Sequence, residues 1–302
     1  MREPSRRLRL FLLASLLGLG FVTGISVVAG QAGGAISSVY ERANIHFAAV
    51  DLYKPRETNV TDLEFKLAPL VLQEVAPRDN SQGKQEDQFG ALDFEKGRPA
   101  LDRSKPTIYV MVEPVQIQRT SYLQLTYFWF YALKRPTSQR ALPVQGVRIT
   151  LNSAGAPVVW EVLADSSGPE LIFVADSLER ASAAEFGLPL PGRKFAIEQR
   201  VAKEPRVVVA RVISDGPLPM GPIIYLSRAT HRVATLVCRC MPAQAGQTRR
   251  SCTYDLIPLN PSAAGLLAQV RTSLQTTTAF WPGDSGGAQP LEQSLRLPSA
   301  AW

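Results

Sequence analysis

Histidine and cysteine are scarce: two and three, respectively, in 302 residues. With His46 and His231 as the only imidazoles, any site that needs several histidines is excluded. Three cysteines (Cys238, Cys240 and Cys252) are too few for a disulfide-dense scaffold. There is no Cys-x-x-Cys-His for haem attachment and no pair of Cys-x2-Cys knuckles for structural zinc. No glycine-rich phosphate loop opens a helix, which removes the usual nucleotide-binding motifs. No segment repeats internally. Basic residues are not interleaved with aromatics, so nothing points to nucleic acid.

What remains is an ordinary globular composition, 45% apolar and 20% charged, on a chain long enough for one large domain or two small ones. The net charge is +7, and Arg2, Arg6, Arg7 and Arg9 supply four of those positive charges ahead of Leu10. Leu10 to Ala29 is then an uncharged run of 20 residues, enough to cross a hydrocarbon core of about 30 Å as a helix. The arginines hold the N-terminus in the cytoplasm and place the body outside. A cleaved signal peptide shares this layout, with Val28-Ala29-Gly30 and Gln31-Ala32-Gly33 as loose processing sites. The apolar run is long for a signal, which favours an uncleaved anchor. The expectation is a single-pass protein of a bacterial cytoplasmic membrane with its body in the periplasm, the alternative being secretion after cleavage. Its partners would be the membrane, through residues 10–29, and an envelope protein or polymer.

The body reads as mainly β (α+β): an antiparallel sheet or sandwich with two or three peripheral helices. Strand patterns occupy Pro106–Gln118, Ser121–Ala132, Val144–Leu151, Pro157–Leu163, Leu171–Ala175, Phe195–Gln199, Val207–Ile213, Ile223–Leu226 and Val233–Val237. Asn152-Ser153-Ala154-Gly155 is a hairpin turn between two of them. Tyr127-Phe128-Trp129-Phe130-Tyr131 has rings on both faces, the mark of a central strand; a ligand-stacking platform is the other reading. Helices are expected over Ser38–Val50, over Asp176–Phe186 with Gly187 as its stop, and over 261–278, where Leu266, Leu267, Val270 and Leu274 form a stripe. Residues 31–60 are thus a linker and helix, 61–260 the β-rich domain, 77–103 a mobile polar loop within it, and 279–302 a loose tail. The stretches PTIYVMVEPVQIQ, YLQLTYFWFYALKRP and GVRITLNSAGAPVVWEVL resemble exported bacterial proteins of unknown function that share an aromatic strand and a Gly-Val-x-x-x-Leu hairpin. That resemblance implies export and a β fold, with no activity to carry over.

The chemistry concentrates in Pro219–Leu256, which holds all three cysteines, His231, Met220 and Met241. On a strand, residues two apart share a face, so Cys238 and Cys240 would lie together with Arg239 opposite. A hairpin through the basic loop Ala243–Arg250 would bring Cys252 across on the partner arm. One reading is a disulfide between Cys252 and one of the pair, although three cysteines allow three pairings and spacing cannot choose among them. The other is a soft-metal or thiol-redox site, with Cys238, Cys240, Cys252 and His231 holding Cu or Zn; otherwise no cofactor is expected.

Catalytic motifs are incomplete. Gly283-Asp284-Ser285-Gly286-Gly287 matches the nucleophile signature of trypsin-like proteases. Neither histidine has that family's context, and His231 stands too close to Ser285 for the fold that must lie between base and nucleophile. Glu113, Glu161, Asp165 and Asp176 lie in or beside strands, but spacing alone selects no acid–base pair.

Overall fold

The computed structural model describes residues 46–57, 61–76, 88–95, 98–131, 143–163, 170–199, 207–228, 230–240, 245–259 and 291–299. The run Leu10–Ala29, the stripe of 261–278, Asp165 and the Gly283–Gly287 motif lie outside them. Among the described residues no helix is long and apolar enough to cross a membrane.

Thirteen strands form one sheet among the described residues, eleven of them in the order β10-β9-β8-β7-β6-β5-β13-β1-β2-β11-β12, with β3 attached to β6 and β4 to β3. Their ranges are β1 Phe47–Pro55, β2 Leu70–Glu74, β3 Phe89–Glu95, β4 Arg98–Asp102, β5 Thr107–Ile117, β6 Thr120–Tyr131, β7 Val144–Leu151, β8 Pro157–Leu163, β9 Glu170–Ala175, β10 Val207–Ile213, β11 Ile223–Leu226, β12 Val233–Val237 and β13 Ala245–Pro258. The helices are α1 Leu63–Lys66, α2 Asp176–Phe186 and α3 Leu291–Ser294. The mainly β class holds, but the sheet is mixed rather than antiparallel. β1 with β13, β2 with β11, β5 with β13 and β9 with β10 pair in parallel. Only the β9–α2–β10 unit among these is a local crossover; the other parallel pairs join segments far apart in the chain, which hairpin logic cannot foresee.

β13 is the corner of the fold. Its first part, Ala245–Tyr254, lies along β1, and its last part, Asp255–Pro258, lies along β5. The sheet therefore turns at β13 and folds over itself. The main core contains Tyr127, Trp129, Ile149 and Phe173 from one half and Tyr53, Val71, Ile224 and Leu236 from the other. β6 is buried on both faces, as its aromatic run predicts. Tyr127, Trp129 and Tyr131 enter the main core, while Phe128 and Phe130 join Tyr109, Met111 and Leu163 on the other side. None of these five rings is more than 1% exposed, which excludes a stacking platform.

Several local expectations are corrected. The helix predicted through Val50 is replaced, from Phe47 onward, by β1, a central strand held by β13 on one side and β2 on the other. Pairing to a segment about 200 residues away overrides a weak local helix pattern. Leu63–Lys66 is a helical turn ahead of β2, a stretch that the sequence LEFKLAPLVLQEV reads as one strand interrupted by Pro69. The polar stretch 77–103 contains the hairpin β3–β4, and β3 continues onto the end of β6 through Phe89 and Gly90. Phe195–Gln199 is turns plus a single bridge from Glu198 to Leu295. In the supposed tail, α3 and the residues after it bury Leu291, Leu295 and Leu297 in the main core. α2 and Gly187 (φ 79°) match the sequence expectation.

Candidate functional site

The hairpin expected to unite the cysteines does not form. β12 pairs with β11, whereas β13 begins at Ala245, inside the predicted loop, and runs between β1 and β5. Cys252 is consequently in register with Tyr53 of β1, half-buried, its thiol free. Cys238 and Cys240 are instead at disulfide distance from each other just beyond β12, with Cα atoms 5.1 Å apart. The pairing with Cys252 is thereby corrected. A bridge spanning a sequence separation of 2 constrains the unfolded chain little. It stabilises by about 1.5 kcal/mol in the chain-entropy model, against about 3 for a loop of a dozen residues.

His231 is elsewhere. It sits in the β11–β12 turn at φ 57°, donates its backbone N–H to Ser227 O at 3.1 Å, and stacks its ring on Tyr131 with centroids 4.1 Å apart. Among non-glycine residues histidine is one of those enriched in this left-handed region. Its ring is a packing element over the Trp129–Tyr131–Gln73 hydrogen bonds. Among the described residues no three His, Cys, Asp or Glu side chains gather where a metal ion could sit. His46 is exposed just ahead of β1.

Cys238 does take part in a cavity, one that the sequence did not announce. The β10–β11 connection, the arch Ser214–Pro222, and the β7–β8 turn line a half-open cleft of about 290 Å³. Pro217, Leu218, Pro219 and Met220 form one wall and Ala154, Ala156 and Pro157 the other; Trp160, Ile213, Val237 and Cys238 complete the lining. Both walls are fixed. Asp215 accepts from Ser177 N–H at 2.9 Å and Ser177 Oγ at 2.7 Å at the start of α2. At the other end of the arch, Gly221 N–H reaches Lys66 O at 3.2 Å and Leu70 N–H reaches Pro222 O at 3.0 Å. Gly221 is required there, since a Cβ would stand 2.2 Å from Leu67 O. The opposing turn is closed by Asn152 Oδ1, which accepts from Ala154 and Ala156 N–H at 3.1 and 2.9 Å. Leu218 is 68% exposed at the lip. Trp160 is buried and its Nε1 has no hydrogen-bond partner.

The two cysteines differ in access. Cys238 is 8% exposed, while Cys240 is exposed and donates its backbone N–H to Cys238 Sγ at 3.0 Å. Arg239 between them donates Nη2 to Ala68 O, leaving a buried Nε without a partner. Burial draws its guanidinium below the ordinary arginine range, with Tyr254 and Tyr127 opposing.

A second polar cluster lies within the β6–β9 part of the sheet. Glu161, one of the carboxylates singled out in the sequence, faces Arg148 at 3.5 Å, both side chains being 4% exposed. Gln124 Nε2 donates to Thr150 Oγ1 at 3.0 Å and to Glu161 Oε2 at 3.5 Å. Burial raises Glu161 above the usual carboxylate range, and Arg148 opposes that. Glu170 is pushed up to about 7, first by burial and then by Glu161. Arg148 and Glu170 went unnoticed because each interrupts an apolar strand only once, and cross-strand register is not visible in sequence. The other carboxylates have structural surroundings. Asp176 pairs with exposed Arg180 at 3.0 Å, and Glu113 of β5 lies opposite Gln124 of β6.

No protein-family model, curated protein or solved structure matches this chain.

Proposed function

We propose that the chain is a membrane-tethered, extracytoplasmic β-rich binding module that receives its ligand in the cleft under the Ser214–Pro222 arch. The observation that carries this reading is the cleft itself. Its two walls are held in place by hydrogen bonds before any ligand arrives, and its lining combines apolar side chains with Asp215, Ser214 and other polar groups. A pre-formed hollow that mixes apolar surface with fixed polar groups is what ligand recognition requires. The ligand class that this lining fits is an apolar group with a polar edge, presented by an envelope protein or polymer. Tethering rests on the 20 uncharged residues Leu10–Ala29 behind four arginines.

The test places a photo-reactive benzoyl-phenylalanine at Leu218 in cells, with Leu188, 88% exposed and away from the cleft, as the control. A discrete ultraviolet-dependent adduct at 218, absent at 188 and weakened by Trp160→Phe, is the expected result. Equal labelling at both positions, or none at either, rejects the cleft as the binding site.

A further inference from the structure

We propose that Cys238–Cys240 is a thiol–disulfide exchange site whose substrate is a solvent-borne thiolate. The inference does not depend on the cleft holding a ligand. Three features of the pair converge. The disulfide joins residues only 2 apart, so the fold gains little from it as a staple. Its sulfurs are unequal in access, Cys240 being exposed and Cys238 lying 8% exposed in the cleft lining. The Cys240 N–H already points at Cys238 Sγ from 3.0 Å. A donor beside a sulfur favours its thiolate, which makes Cys238 the better leaving group.

The step follows from that asymmetry. An incoming thiolate attacks Cys240 Sγ, a new S–S bond forms there, and the Cys238–Cys240 bond breaks with its electron pair on Cys238. A second thiolate attacks the substrate sulfur of the mixed disulfide. The substrate leaves as a disulfide, Cys240 leaves as a thiolate, and two solvent protons complete the two thiols. Two electrons have passed from substrate to protein. A more oxidising disulfide restores the pair by the reverse exchange. Cys252 takes no part, since it is held on β13 in register with Tyr53.

The experiment uses the full chain in detergent micelles with Cys252→Ser, equilibrated in glutathione redox buffers, with thiols trapped by maleimide and counted by mass spectrometry. Circular dichroism is recorded on the same samples. The expected result is reversible gain and loss of two thiols with the β signal retained. In single variants, Cys238→Ser should take up one glutathione at Cys240 about tenfold faster than Cys240→Ser does at Cys238. A reduced Cys-x-x-Cys peptide forms a second arm. Faster exchange with it than with glutathione assigns a protein dithiol as substrate, and the reverse assigns small thiols. Resistance to both, reduction only together with loss of the fold, or equal rates in the two single variants would overturn the proposal. Photo-labelling at Leu218 is scored separately, so failure of exchange and failure of ligand binding remain distinguishable.

Discussion

Glu170 is the residue whose charge state the fold disturbs within a physiological range. Its carboxyl is held at about 7, while in the unfolded chain it titrates near ~4.3. The folded state thus binds the proton more tightly between those values. The associated stability is complete below about pH 4.3 and is lost as pH rises through about 7, because burial disfavours the ionised carboxylate and Glu161 adds to that. Glu170→Gln should match the parent near pH 5 and exceed it by about 1–3 kcal/mol at pH 8, read from urea midpoints. An unchanged difference between the two pH values would mean that Glu170 ionises freely in the folded protein. Gly221 gives a steric counterpart. A methyl group there meets Leu67 O at 2.2 Å and Ala68 O at 2.5 Å, both backbone, so Gly221→Ala should cost about 1–3 kcal/mol. It should also displace the arch, lowering photo-labelling at Leu218. Gly216→Ala meets Leu218 O only at 3.2 Å and should be milder.

At the scale of elements, the C-terminal segment shows where local reading stops. Leu291, Leu295 and Leu297 are buried in the main core, Gln118 Nε2 donates to Leu297 O at 2.9 Å, and Arg296 N–H reaches Ile197 O at 2.7 Å. Leu295→Ala should therefore destabilise by about 2–5 kcal/mol, with the urea midpoint as the measurement. A true tail would leave it unmoved. In the sequence these leucines are a few apolar residues among Gln, Ser, Pro and Arg, with too short a period to register. Elements that complete themselves locally were legible. The β7–β8 hairpin announces its turn, α2 announces both ends, and β6 announces its double burial through consecutive rings. Pairings fixed by distant partners were not. β1 read as a helix because its neighbours across the sheet, Ala245–Tyr254, are nowhere near it in the chain. The candidate site divides in the same way. Cys238 and Cys240 stood out by type and spacing, and their exclusion of Cys252 follows from β13 lying along β1 rather than turning back on β12. Trp160 and the arch met only through tertiary packing.

For the whole molecule, β13 is the strand that joins two halves into one sheet. The strand order runs from β5 to β1 only through β13, so the half from β10 to β5 and the half of β1, β2, β11 and β12 share no other strand pairing among the described residues. Side chains bind the halves as well. Tyr254 of β13 is buried and donates its hydroxyl to Pro69 O at 2.7 Å, and Tyr131 reaches Gln73 Oε1 at 3.3 Å. At the turning point, exposed Arg56 pairs with Asp255 at 2.7 Å, a surface contact worth less than about 1 kcal/mol. The weight therefore rests on the strand and the core it closes. A chain ended after Ala243 retains both halves but lacks β13 and α3. It should lose cooperative unfolding altogether, giving a broad urea transition and rapid proteolysis, because each half then exposes the apolar face that the other covered. A shorter truncation after Leu259 keeps β13 and should still unfold in one step at a lower midpoint, reduced by the buried leucines of the α3 segment. If the chain ended at Ala243 instead gives a sharp transition of about half the amplitude, the two halves are independent domains, and the cleft, which draws Trp160 from one half and Cys238 from the other, would be an interface between them rather than a pocket within one core.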